Sequence, residues 1–118
     1  MSAQEFIAQN RERFLEELFQ LLRIPSVSAD PAFQGDIRKC AEEVAAGLRK
    51  AGADNVALLE TPGNPVVYGE CLTAGPDAPT VLVYGHYDVQ PADPIDLWDA
   101  PAFEPVIRKT DIHPEGAI

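Results

Sequence analysis

The sequence predicts an α/β fold, a mixed sheet flanked by helices. Three observations carry that prediction. Two stretches in the first half place apolar residues at helical spacing. Two runs that read as strands flank a turn of hairpin length, Thr61-Pro62-Gly63-Asn64-Pro65. A further apolar run, Val81 to Tyr84, is continuous rather than alternating, the pattern of a strand covered on both faces.

Ala3 to Arg23 reads as one amphipathic helix. Ile7, Phe14, Leu15, Leu18, Leu21 and Leu22 share a broad face, and Glu5, Arg11, Arg13, Glu16, Glu17 and Gln20 are left to water. Pro25 ends it, because the residue before a proline disfavours helical angles. Ile24 to Ser28 is then an extended connector. In the second helix Ile37, Cys40, Ala41, Val44, Ala45 and Leu48 keep the period, and Gly52 supplies a left-handed stop. Its start is either Asp30 capping Pro31 or Gly35-Asp36. Small residues at Ala41, Ala45 and Ala46 predict close packing on another element. Asn55 to Glu60 and Val66 to Leu72 read as the hairpin strands, Val81 to Tyr84 as a central strand, and Phe103 to Lys109 as one more. Nine of the eleven prolines follow residue 60, which makes the second half rich in loops.

With 118 residues the chain suffices for one core. Its formal net charge of −10 disfavours a nucleic-acid partner, which needs Lys and Arg against phosphates, and equally an anionic membrane surface. No apolar run is long enough to span a bilayer, and Met1 to Asn10 lacks a signal-peptide layout. Two cysteines, Cys40 and Cys71, make no disulfide framework and read as reduced thiols; a cytoplasmic location is the expectation.

The chemistry concentrates after the third run, in Gly85-His86-Tyr87-Asp88. Ligands of α/β sheets sit beyond the carboxyl ends of strands. On extended backbone, residues two apart point to one side. A neutral imidazole can give one nitrogen to a metal while its other N–H meets a carboxylate, which fixes tautomer and orientation. His86 and Asp88 are therefore the candidate site, weighed against a surface His paired with an Asp in a turn. His113-Pro114-Glu115 reads as a turn rather than a ligand. Asp93, Asp96 and Asp99 read as a solvated loop, with Trp98 and Phe103 pinning that loop to the core.

The string "VLVYGHYDVQPADPIDLWDAPAFEPVIR" closely resembles the di-zinc metallopeptidases that include carnosine dipeptidase, aminoacylase and the carboxypeptidase G type, and most of all their dipeptidase branch. Gly85, His86, Asp88, Val89, Gln90 and Pro91, followed by Trp98, Phe103 and Pro105, carry the resemblance. Ala102 stands where that branch usually has proline. "LLRIPSVSADP" and "TPGNPVVYGE" extend the likeness over about the whole chain.

The resemblance implies that the chain is the N-terminal portion of a zinc-peptidase catalytic domain. It implies His86 as the metal residue, a terminal ligand of one of two zinc ions, with manganese or cobalt as alternatives. Asp88 becomes the catalytic-site residue that holds the imidazole or tunes the site. The function implied is metal-dependent hydrolysis of dipeptides or small peptide-like amides. An N-acyl-amino-acid deacylase of the same family is the nearest alternative, and a non-catalytic α/β binding module the other. The family's bridging aspartate, Glu-Glu pair, further acid, distant histidine and general base find no match in 1–118, nor does its smaller inserted domain. The expectations are thus a fragment inactive by itself, without tightly bound metal, that exposes apolar surface and self-associates. A small peptide is the expected partner, and a homodimer the expected assembly of the full-length protein.

Overall fold

The computed structural model describes residues 1–109 and 116, and places them in two compact units, one of residues 1–24 with the chain from 92 onward, the other of residues 25–91. His113-Pro114-Glu115 lies outside the described residues.

The first unit holds α1 (Ala3–Gln9) and α2 (Arg11–Leu22). A capping box starts α1: Ser2 Oγ accepts from the Glu5 N–H, and the Glu5 carboxylate accepts from the Ser2 N–H at 2.7 Å. The single helix expected over Ala3 to Arg23 is divided at Asn10. There the side-chain amide donates to the Phe6 carbonyl at 2.8 Å, and Asn10 takes non-helical angles (φ −110°, ψ 12°). Asparagine side chains compete with the helical ladder in this way. Periodicity cannot register the break, because the Phe14 N–H still bonds the Asn10 carbonyl at 3.0 Å. No residue of α1 or α2 is fully buried. Arg23 closes the segment with ion pairs to Glu16 (3.2 Å) and Glu104 (3.1 Å), the second reaching the proline-rich stretch.

Phe103 to Lys109, expected to be a strand, forms none; only Arg108 takes part in an isolated bridge. Phe103 and Glu104 lie in a turn, and Pro105 has no N–H to give to a ladder. Nor does Trp98 pin its loop by burial. It is 53% exposed and its indole N–H donates to the Ala92 carbonyl at 2.7 Å, closing the loop on itself. Asp99 is paired with Arg108 at 2.6 Å.

The second unit contains the core. Asp30 caps a 3-10 turn, Pro31–Phe33, through the Ala32 N–H at 2.9 Å, and this turn runs directly into α3 (Gln34–Lys50). Both candidate starts thus fall within one continuous entry. Ile37, Cys40, Ala41 and Ala45 are buried along one face, whereas Ala46 is exposed. The helix ends as Gly52 predicts. Gly52 (φ +88°) donates to the Arg49 carbonyl and Ala53 to the Leu48 carbonyl, each at 3.0 Å, a Schellman pair.

The chain returns as an antiparallel hairpin, β1 (Asp54–Leu59) and β2 (Val66–Glu70), with Ala57 opposite Tyr68 and Leu59 opposite Val66. Thr61 organises the turn: its hydroxyl donates to the Asn64 carbonyl at 2.7 Å and accepts from the Gly63 N–H at 3.0 Å. At Gly69 the hairpin comes close against the end of α3. A Cβ there would lie 3.2 Å from Leu48 Cδ1 and 3.3 Å from Val56 Cγ2, so glycine lets the layers meet. The Arg38–Glu60 ion pair, at 2.9 Å, ties α3 to the residue following β1.

Val81 to Tyr84 departs most from expectation. It joins no ladder, and its four side chains are 80–90% exposed. An open cleft, lined by Tyr68, Leu72, Leu82 and His86 among others, separates it from β2. A buried strand needs a neighbour at ladder spacing and cover on its faces. No described residue supplies either. The α/β class stands nonetheless, and both strand directions occur: the antiparallel hairpin, and one isolated parallel bridge between Val27 and Val89.

The two thiols differ as their burial dictates. Cys40 is 3% exposed and burial pushes its pKa up; Cys71, beyond the end of β2, is exposed. A thiol reagent at neutral pH should therefore label Cys71 within the native state and Cys40 only on unfolding. Counting labelled sites by intact mass, with and without denaturant, checks this.

Candidate metal centre

The site forms where the connector after α2 meets the segment after Tyr84. Val89 N–H donates to the Ser26 carbonyl at 2.9 Å, which sets Val27 and Val89 in parallel register. Ser26 is buried to 1% exposure, and its hydroxyl donates to the Tyr87 carbonyl at 2.7 Å. The Cys40 thiol reaches the same carbonyl at 3.5 Å, so α3 also grips this backbone. Tyr87 completes the anchoring by donating its hydroxyl to the Pro65 carbonyl at 2.6 Å, and burial raises its pKa. No buried side-chain polar atom among the described residues lacks a partner.

With Tyr87 and Val89 engaged on one side, His86 and Asp88 fall on the other, as alternation requires. His86 Nδ1 lies 3.0 Å from Asp88 Oδ1 and 3.0 Å from the Asp88 carbonyl oxygen. Ser28 Oγ donates to Asp88 Oδ2 at 2.6 Å. This Ser28 bond, and secondarily the contact with His86, holds the Asp88 carboxyl below its ordinary pKa. An ionised carboxylate only accepts hydrogen bonds. Both neighbours of Nδ1 are then acceptors, so in the neutral ring Nδ1 carries the proton and Nε2 keeps its lone pair. The His86 side chain is 73% exposed and that of Asp88 41%.

The pair singled out from sequence is thus brought together. Its supports, Ser26, Ser28 and Tyr87, were not singled out. The one signal for the serines was their own two-residue alternation in Pro25-Ser26-Val27-Ser28, which matches that of His86 and Asp88.

A zinc centre takes three or four protein donors. Among the described residues no three His, Cys, Asp or Glu side chains gather to hold an ion. The donor set fits one imidazole position with its orienting carboxylate and does not fit a complete one- or two-metal centre. Asp93, Asp96 and Asp99 add no ligand cluster.

No family model matches the chain. Cys-Gly metallodipeptidase DUG1 of Saccharomyces cerevisiae is 31% identical over 109 residues, 82% of this chain and 22% of that protein. Succinyl-diaminopimelate desuccinylase of Aromatoleum aromaticum is 46% identical over 43 residues, 36% of this chain and 11% of the enzyme. The solved structure of the dipeptidase Dug1p from Saccharomyces cerevisiae superposes with a TM-score of 0.73 at 31% identity, covering 86% of this chain and 23% of that one. The chain spans about a fifth of the length of the dipeptidases it matches. In sequence and in fold alike it is homologous to that part of the Cys-Gly metallodipeptidases.

Proposed function

We propose that this chain is the N-terminal portion of the catalytic domain of a metal-dependent dipeptidase. The full-length protein hydrolyses dipeptides or small peptide-like amides at a two-zinc centre, with manganese or cobalt as alternative metals. His86 is one metal ligand through Nε2, and Asp88 holds its ring. The observation that carries this reading is the His86–Asp88 pair, held at 3.0 Å with Nε2 left as the donor, on a chain homologous to metallodipeptidases. The remaining ligands and the general base come from residues outside 1–118, so these residues alone turn over no dipeptide. A cytoplasmic homodimer is the form in which we place the full-length enzyme; no helix among the described residues is long and apolar enough to cross a membrane.

The likeness to a desuccinylase favours N-acyl amino acids as a second substrate class. The assay therefore offers the full-length protein Cys-Gly and an N-succinyl amino acid, with added zinc or manganese and after chelation. Dipeptide hydrolysis that disappears on chelation is the expected result. Hydrolysis of the N-acyl substrate alone would transfer the assignment to the deacylase reading. Turnover insensitive to chelation would overturn both.

A further inference from the structure

We propose that Ser28 is a positioning residue for His86, acting through Asp88 to select the imidazole tautomer that presents Nε2. The inference rests on the reading of His86 as a metal ligand but concerns the metal-free state of the site.

The argument begins with the carboxylate. A carboxylate on a partly exposed side chain can rotate and meet its neighbours with either oxygen. Asp88 is fixed at both. Ser28 Oγ donates to Oδ2 at 2.6 Å, the short length of a charge-assisted O–H···O bond, and Oδ1 faces His86 Nδ1 at 3.0 Å. The three groups form one line, Ser28 to Asp88 to His86. Ser28 itself has little freedom. Its predecessor Val27 is 2% exposed and bridged to Val89, and Ser26 is bonded through both its carbonyl and its hydroxyl to the segment that carries the pair. Ser28 thus approaches Asp88 from a backbone registered against Asp88's own.

The consequence for His86 follows from the ring's two nitrogens. An unconstrained neutral imidazole favours the proton on Nε2, which would block that atom as a ligand. Acceptors at Nδ1 reverse the preference. Two are present: Asp88 Oδ1, whose direction Ser28 fixes, and the Asp88 carbonyl oxygen, also at 3.0 Å, which Ser28 does not control. Removing the Ser28 hydroxyl should therefore reduce the Nδ1–H population without abolishing it. The hydroxyl matters here rather than the bulk of the side chain, so threonine should serve in its place.

The test uses the full-length protein, stripped of metal and labelled with 15N-histidine, at a pH where the imidazole is neutral. Loss of a signal in His86→Gln assigns the ring. In the native protein Nδ1 should resonate in the pyrrole-like range and Nε2 in the pyridine-like range. Ser28→Ala should move both toward their mean, and Ser28→Thr should leave them in place. Ser28→Cys keeps the size and weakens the donor, and should give the alanine result even if Ser28→Ala fails to fold. Unchanged ring shifts in Ser28→Ala, or equal shifts in Ser28→Ala and Ser28→Thr, would overturn the proposal. The reading of His86 as a ligand is judged separately, by the metal content of His86→Ala: normal content there refutes the ligand, whatever the tautomer does.

Discussion

On the dipeptidase reading proposed above, replacing His86 by alanine in the full-length protein should lower kcat/KM for a dipeptide by more than about 100-fold. Loss of a partner that merely orients a metal ligand already costs about 10–100-fold, and loss of the ligand itself exceeds that range. The fold should not suffer, because the His86 side chain is 73% exposed and, among the described residues, hydrogen-bonds only to Asp88. Asp88→Asn should fall within the 10–100-fold range, since an amide keeps the shape but loses the charge that favours the proton on Nδ1. Kinetics at saturating metal, metal content, and circular dichroism on the same preparations check the pair. A His86→Ala enzyme with native kcat/KM would remove the imidazole from the site altogether.

The second large effect concerns stability. Ile37→Ala in this chain should destabilise the unit of residues 25–91 by about 2–5 kcal/mol, the range for truncating a buried isoleucine where neighbours cannot close the cavity. Ile37 is 2% exposed and is the largest fully buried side chain. Ala41, one turn further along the same buried face of α3, is too small to fill the space. Domain stabilities are about 5–15 kcal/mol, so the loss is a large share of the total. Leu82→Ala is the matched control. Leu82 is 90% exposed in this chain, so its truncation should change stability by less than about 0.5 kcal/mol. Urea midpoints of the two variants distinguish the cases, and a smaller loss at Ile37 than at Leu82 would contradict the core described above.

What the sequence made legible was local. The face of α3 and its Gly52 stop were readable because periodicity and capping act over a few residues. The hairpin was readable because Thr61 and Gly63 satisfy their own turn. The His86–Asp88 pair was readable because two residues on extended backbone need no distant help to face one way. The break at Asn10 was hidden because it leaves the apolar period intact. Val81 to Tyr84 was misread for the opposite reason: an apolar run states a wish for burial, but a ladder depends on what stands beside it. Ser28 was invisible as a partner because it stands 60 residues from Asp88.

That separation has a kinetic meaning. The bridge between Val27 and Val89 closes a loop that encloses α3 and the whole hairpin. Closing so long a loop is entropically costly until the elements inside it have condensed, and contacts distant in sequence form late. The imidazole and its carboxylate meet locally, but the Ser28 hydroxyl should reach that carboxylate only late in folding, when the elements between them have condensed. A nascent chain that has α3 and the hairpin but not yet Val89 carries the scaffold without the bridge that brings Ser28 to Asp88.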